Sequence, residues 1–124
     1  MPLPVEFHFD FSCPYAYLGY SQLESVEQRT GQPVQLRPFL LGGVFAHLRQ
    51  AQNMSATLNE PKKRHNRDDL VRWAAWFKVP LTTPFRHPNR TVNALRAALI
   101  CPASKQRAVV TQLYRAYWQD SADI

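Results

Sequence analysis

Pro14 divides the start of the chain into a strand and a helix. The stretch Val5-Glu6-Phe7-His8-Phe9-Asp10 alternates apolar and polar side chains, the period of a strand with one buried face. A first helical residue has no use for its N–H, and proline's fixed φ suits that position. Residues from Pro14 to about Arg29 therefore read as a helix, ended by Gly31. Val34-Gln35-Leu36-Arg37-Pro38-Phe39 alternates again and reads as a second strand, with Pro38 confining its end to an edge or an exit. A strand–helix–strand unit of this length implies a parallel pair joined by a right-handed crossover.

From Gly42 the period becomes helical, with a short helix expected from Val44 to about Gln50. Leu70, Trp73, Ala74 and Phe77 fall on one helical face, and Asp68 and Asp69 read as lying near that helix's start. Val79-Pro80 ends it, and a Pro- and Thr-rich loop follows from Leu81 to Pro88. Val92, Leu95 and Leu99 mark another helix, stopped near Cys101-Pro102. Ser104 is placed to cap a last helix that turns Val109, Val110, Leu113 and Tyr117 inward. The order is β-α-β followed by helices in succession. Two strands alone make a marginal sheet, so the chain reads as part of a longer protein.

The 124 residues suffice for one small core. No apolar run approaches the ~20 residues of a transmembrane helix, and the N-terminus has no secretory pattern. Cys13 and Cys101 form no disulfide framework, so a cytoplasmic, reducing location is expected. The formal charge of +6 suits acidic small molecules, nucleic acid or an anionic surface without choosing among them. His8, His47, His65 and His87 are scattered, without zinc-type spacing, and no metal is expected.

Cys13 is the foremost chemical candidate. At the cap of a helix it faces unpaired N–H groups and the positive end of the dipole, which favour thiolate and predict a pKa below about 8.5. The alternative is a buried cysteine acting as a small hydrophobe. Ala16 stands where a Cys-x-x-Cys motif needs its resolving cysteine, which argues against a dithiol oxidoreductase. Cys101 reads as a packed thiol. The run Lys62-Lys63-Arg64-His65-Asn66-Arg67 is a basic cluster of the kind that binds nucleic acid, but no nucleic-acid motif or interleaved aromatic accompanies it.

Asp10-Phe11-Ser12-Cys13-Pro14-Tyr15-Ala16-Tyr17-Leu18 resembles the Asp-Phe-x-Ser-Pro-Tyr-x-Tyr-Leu opening of the 2-hydroxychromene-2-carboxylate isomerases, relatives of kappa-class glutathione transferases and of DsbA-type thioredoxin folds. The stretches 59–74, 88–96 and 113–124 are similar to the same family. The resemblance implies an α/β fold in which a thioredoxin-like β-α-β half, residues 1–41, precedes an inserted all-helical domain, residues 42–124, with a linker-like loop near 79–89. The C-terminal thioredoxin strands of the family, with their cis-proline loop, are absent from this chain.

The resemblance further implies glutathione as cofactor, with its thiolate held at the strand-to-helix turn. The family's serine is here Cys13, with Ser12 before it, and either is a candidate for that role. Asn53, Lys62 and Asp69 resemble family positions around glutathione or substrate, and Lys62 is placed to pair with a carboxylate. Tyr15 and Trp73 are read as walls for an aromatic substrate, against the alternative of core packing. The chain departs from the family pattern at Arg90, where Asn is commoner, and at His65, where Tyr is common. The implied activity is glutathione-dependent isomerisation of an aromatic-degradation intermediate such as 2-hydroxychromene-2-carboxylate. The thiolate adds to a conjugated double bond, permits rotation and leaves. The partners implied are an aromatic carboxylate and a second copy in a homodimer. The alternatives are a kappa-type glutathione transferase or monothiol disulfide exchanger, and a non-enzymatic basic binding domain.

Overall fold

A computed structural model describes residues 3–124. The elements run β1 (Val5–Phe9), α1 (Pro14–Tyr20), α2 (Leu23–Thr30), β2 (Val34–Pro38), α3 (Leu41–His47), a 3-10 turn (Met54–Thr57), α4 (Glu60–Phe77), α5 (Val92–Ile100) and α6 (Ala103–Trp118). β1 and β2 pair in parallel, with Val5 opposite Val34 and Phe9 opposite Pro38. The strand periods and Pro14 in the first turn of α1 are as the sequence implies.

The single long helix expected after Pro14 is two helices. Ser21 Oγ donates to the Leu18 carbonyl at 2.6 Å, and the Gln22 N–H turns back to Gly19 at 3.0 Å. A serine that competes for backbone acceptors, two residues after a weak helix former, ends α1 early. Gly19 lies against the Phe7 ring, where a Cβ would sit in van der Waals contact at 3.4 Å. Gly31 closes α2 at φ +67°, a left-handed C-cap that favours glycine.

α3 starts three residues earlier than expected, at Leu41, and buries no residue fully. α4 begins at Glu60, where Asn59 Oδ1 accepts the Lys62 N–H at 3.0 Å, so Asp68 and Asp69 lie mid-helix. Pro102, not Ser104, stands at the cap of α6.

The core is aromatic and shared between both ends of the chain. Phe9 and Phe11 from β1 and its turn meet Tyr114, Tyr117 and Trp118 of α6, with Ala94, Leu95 and Ala98 of α5 completing the contact. Phe11 and Tyr114 lie 4.9 Å apart edge to face, and Tyr17 stacks on Trp118 at 6.1 Å. Such pairs add ~0.5–1.5 kcal/mol each beyond the area they bury. The inward face of α6 is thus rotated from the expected one: Val110 and Tyr117 are buried as read, and Tyr114 and Trp118 join them. Leu99, expected to point inward, is exposed.

Candidate active site at the strand-to-helix turn

The turn between β1 and α1 is built around Asp10, whose side chain is buried. Its Oδ1 accepts from Thr91 Oγ1 at 2.5 Å and from the Ser12 N–H at 3.3 Å, and its Oδ2 accepts from the Leu41 N–H at 2.8 Å. One carboxylate therefore joins the turn to the start of α3 and the start of α5. The carbonyls on either side are held from α6: Tyr114 Oη donates to Asp10 O at 3.5 Å, and Trp118 Nε1 donates to Phe11 O at 2.8 Å. The backbone ahead of Cys13 is thus held at the Ser12 N–H and at the Asp10 and Phe11 carbonyls by side chains from this turn and from α6.

Cys13 is the N-cap residue of α1, in extended backbone at φ −94° and ψ 114°. Its thiol is not acidified. Burial pushes its pKa above the ordinary 9.0, and Asp10 adds in the same direction. The N–H groups of Ala16 and Tyr15 pull it down by less, and the side chain forms no full capping hydrogen bond. The expected thiolate is corrected for a physical reason. α1 has only seven residues, so its dipole is small, while the aromatic core withdraws the sulfur from water. At neutral pH Cys13 is a thiol, hence a hydrogen-bond donor.

Tyr15 and Asp69 meet. Tyr15 Oη donates to Asp69 Oδ2 at 2.7 Å, which ties α1 to the middle of α4. Partial burial, then the hydrogen bond and charge of Asp69, push the Tyr15 pKa up to about 12. Beside this tie lies a cavity of about 480 Å³ between α1, α4 and the loop after α4. Pro14, Leu58, Leu70 and Trp118 give it an apolar floor, and Lys63 and Arg67 a basic rim. Lys63 is paired with Glu60 at 3.1 Å. Among the described residues, Arg67 has no ion-pair partner.

The other candidates lie elsewhere. Ser12 faces a second cavity, of about 510 Å³, formed with Leu41, Gly42, Asn89 and Thr91. Asn53 Oδ1 accepts the Ala56 N–H at 3.3 Å as the cap of the 3-10 turn, and neither Asn53 nor Lys62 lines the cavity beside α1. Trp73 is 44% exposed and stacks on Phe77 at 5.2 Å, on a different part of α4 from the cavity. The sequence places Lys63 and Arg67 in a basic run weighed for nucleic acid and His87 among scattered histidines, and does not single out Trp118; the structure brings all four to this cavity. Arg67 and Leu70 stand three residues apart, and Lys63 and Arg67 four, so helical spacing alone places all three along one side of α4. Among the described residues, no group of three or more His, Cys, Asp or Glu side chains is arranged to hold a metal, and no helix is long and apolar enough to cross a membrane.

A two-strand parallel sheet, six α-helices and a cysteine at the cap of the first helix define a DsbA-like thioredoxin fold of mixed α/β class. The chain belongs to the DSBA-like thioredoxin domain family, which matches residues 4–124. It is 33% identical over 121 residues to a 2-hydroxychromene-2-carboxylate isomerase from Sphingobium xenophagum, covering 95% of this chain and 60% of that protein. It is 24% identical over 119 residues to glutathione S-transferase kappa 2 from Caenorhabditis elegans, covering 92% of this chain and 52% of that one. A solved 2-hydroxychromene-2-carboxylate isomerase superposes with a TM-score of 0.81 at 24% identity, over 98% of this chain and 59% of its own. The chain thus spans a little over half the length of these relatives.

Proposed function

We propose that the chain is the N-terminal portion of a glutathione-dependent isomerase. Residues 1–41 supply the first half of its thioredoxin-like domain and residues 42–124 its helical insert. The substrate is an aromatic carboxylate such as 2-hydroxychromene-2-carboxylate, and the working protein is a homodimer. The relatives to which the chain is similar are isomerases and a kappa transferase, which supports an enzyme of this group.

One observation carries the reading: Cys13 stands at the N-cap of α1, at the strand-to-helix turn, with burial raising its pKa above 9.0 so that the thiol keeps its proton at neutral pH. A thiol with a raised pKa is a poor nucleophile but a usable donor. In that state Cys13 donates its S–H to the sulfur of bound glutathione and so favours the glutathione thiolate. Glutathione then supplies the nucleophile that adds to the conjugated double bond. Rotation follows, and elimination of the same sulfur restores the double bond, so no electron is gained or lost. The protein's contribution is orientation of the two reactants. In this reading Ser12 is a neighbouring hydroxyl of the turn, and Asp69 acts through Tyr15. Asn53 and Lys62 lie outside the cavity beside α1 and hold glutathione only if it extends beyond it, and Trp73 is an exposed ring.

The test is absorbance-monitored isomerisation of 2-hydroxychromene-2-carboxylate by the protein encoded by the natural reading frame that contains this chain, with and without glutathione. Glutathione-dependent interconversion that survives Cys13→Ser and is lost in Cys13→Ala supports the donor role. Turnover that Cys13→Ser abolishes points instead to monothiol exchange. No glutathione-dependent turnover sinks the reading.

A further inference from the structure

His87 lines the cavity between α1 and α4, and its ring chemistry is settled by a residue behind it. His87 Nδ1 lies 2.8 Å from Tyr117 Oη. The same Oη accepts the Asn89 N–H at 3.0 Å. Tyr117 is fully buried, so its hydroxyl proton must find an acceptor within the protein. The Asn89 N–H is a donor and offers none. Among the described residues, the remaining acceptor is His87 Nδ1. Tyr117 therefore donates, Nδ1 accepts, and the ring proton sits on Nε2. Burial acts in the same sense, holding the His87 pKa below the ordinary 6.5. Among the described residues, Nε2 has no hydrogen-bond partner, and His87 lines the cavity, so this nitrogen is the ring's free donor.

We propose that His87, held as its Nε2–H tautomer by Tyr117, is the neutral donor that fixes a carboxylate or carbonyl oxygen of a flat aromatic acid in this cavity. The volume of about 480 Å³ accommodates a bicyclic ring system. Trp118, whose ring centroid lies 5.1 Å from that of His87, is buried behind the cavity and backs the imidazole from the core side. Arg67, without an ion-pair partner among the described residues, supplies charge at the rim, and Lys63 adds to it. A neutral donor inside and cations outside divide the work. The guanidinium attracts the acid without being buried, and the imidazole sets its register at little desolvation cost. A site that hydrogen-bonds an oxygen favours the acid over the analogue that lacks it, because a ligand that covers the N–H without accepting from it displaces water with no return. His87 thus acts as a specificity-determining residue, resting on the aromatic-acid reading of the substrate.

The test is calorimetric titration of 1-naphthoate into the protein without glutathione, alongside His87→Phe and His87→Gln. We expect saturable binding, a loss of about tenfold in His87→Phe, and recovery of most of it in His87→Gln, whose amide restores an N–H. Equal affinity in wild type and His87→Phe overturns the proposal, as does the absence of naphthoate binding. Ring-nitrogen NMR of the unmutated protein tests it without any variant. A pyridine-type Nδ1 with a pyrrole-type Nε2 is expected, and a proton on Nδ1 overturns it. Naphthoate binding that depends on His87, in a protein without glutathione-dependent turnover, upholds this site and sinks the isomerase reading alone.

Discussion

Tyr15 donates its phenolic hydrogen to Asp69 across 54 positions of sequence, and this one bond fastens the first helix to the longest. Both residues are partly accessible, so the bond is of moderate value. We expect Asp69→Ala to cost about 0.5–1.5 kcal/mol, measured by urea unfolding, and Asp69→Asn, which keeps an acceptor, to cost less. In Asp69→Ala the Tyr15 pKa falls from about 12 toward 10.0, read by ultraviolet titration of the phenol.

Cys13 titrates late. Alkylation by iodoacetamide, followed as a function of pH, has its midpoint above 9.0, because burial disfavours the thiolate. The linkage has a definite sign. The folded pKa lies above the unfolded one, so the contribution of Cys13 to stability is whole below about pH 9.0 and is lost as pH rises through the folded value. Cys13→Ser removes this alkaline loss, which a comparison of chemical denaturation at neutral and alkaline pH detects.

Thr91 and Asp10 carry a larger share of stability than any surface pair. Thr91→Val leaves one lobe of a buried carboxylate without its donor and is expected to cost about 1.5–3 kcal/mol. Asp10→Ala strands the Leu41 and Ser12 N–H groups as well and costs more. Thermal unfolding of the two variants ranks them in that order.

His87 makes the fold sensitive to acid. Its folded pKa lies below 6.5, so above that pH both states are neutral and nothing is lost. As pH falls from 6.5 through the folded value, the unfolded chain takes up the proton more readily and stability declines. His87→Gln abolishes that decline, as denaturation midpoints at pH 7 and about pH 5 will reveal.

The sequence made the strand–turn–helix opening legible because its signals are local: a period of two, a proline at a helix start and a glycine at a helix end. It also placed Cys13 at the cap. The charge state of Cys13 is not legible there, because burial outweighs the N–H groups of Ala16 and Tyr15, and burial is set by packing that a local pattern does not show. The inner face of α6 was read one step off because aliphatic residues marked it, whereas Tyr114 and Trp118 bury more area and set the rotation. The basic run at the start of α4 was read as one block of charge. On a helix it separates into Lys63 and Arg67 at the cavity and Lys62 and Arg64 outside it. Asp69 and Tyr15 were each read as candidates, but nothing in a linear pattern says that they touch.

The bonds from Tyr114 and Trp118 to the backbone of the turn have a consequence in time. A ribosome releases Cys13 long before it releases α6, and contacts that span most of a chain form late. Until α6 arrives, the sulfur is an ordinary, accessible thiol, open to any oxidant or electrophile it meets. Its partial shelter is a property of the folded molecule, so the nascent chain passes through an interval in which this thiol is more exposed than it is afterwards.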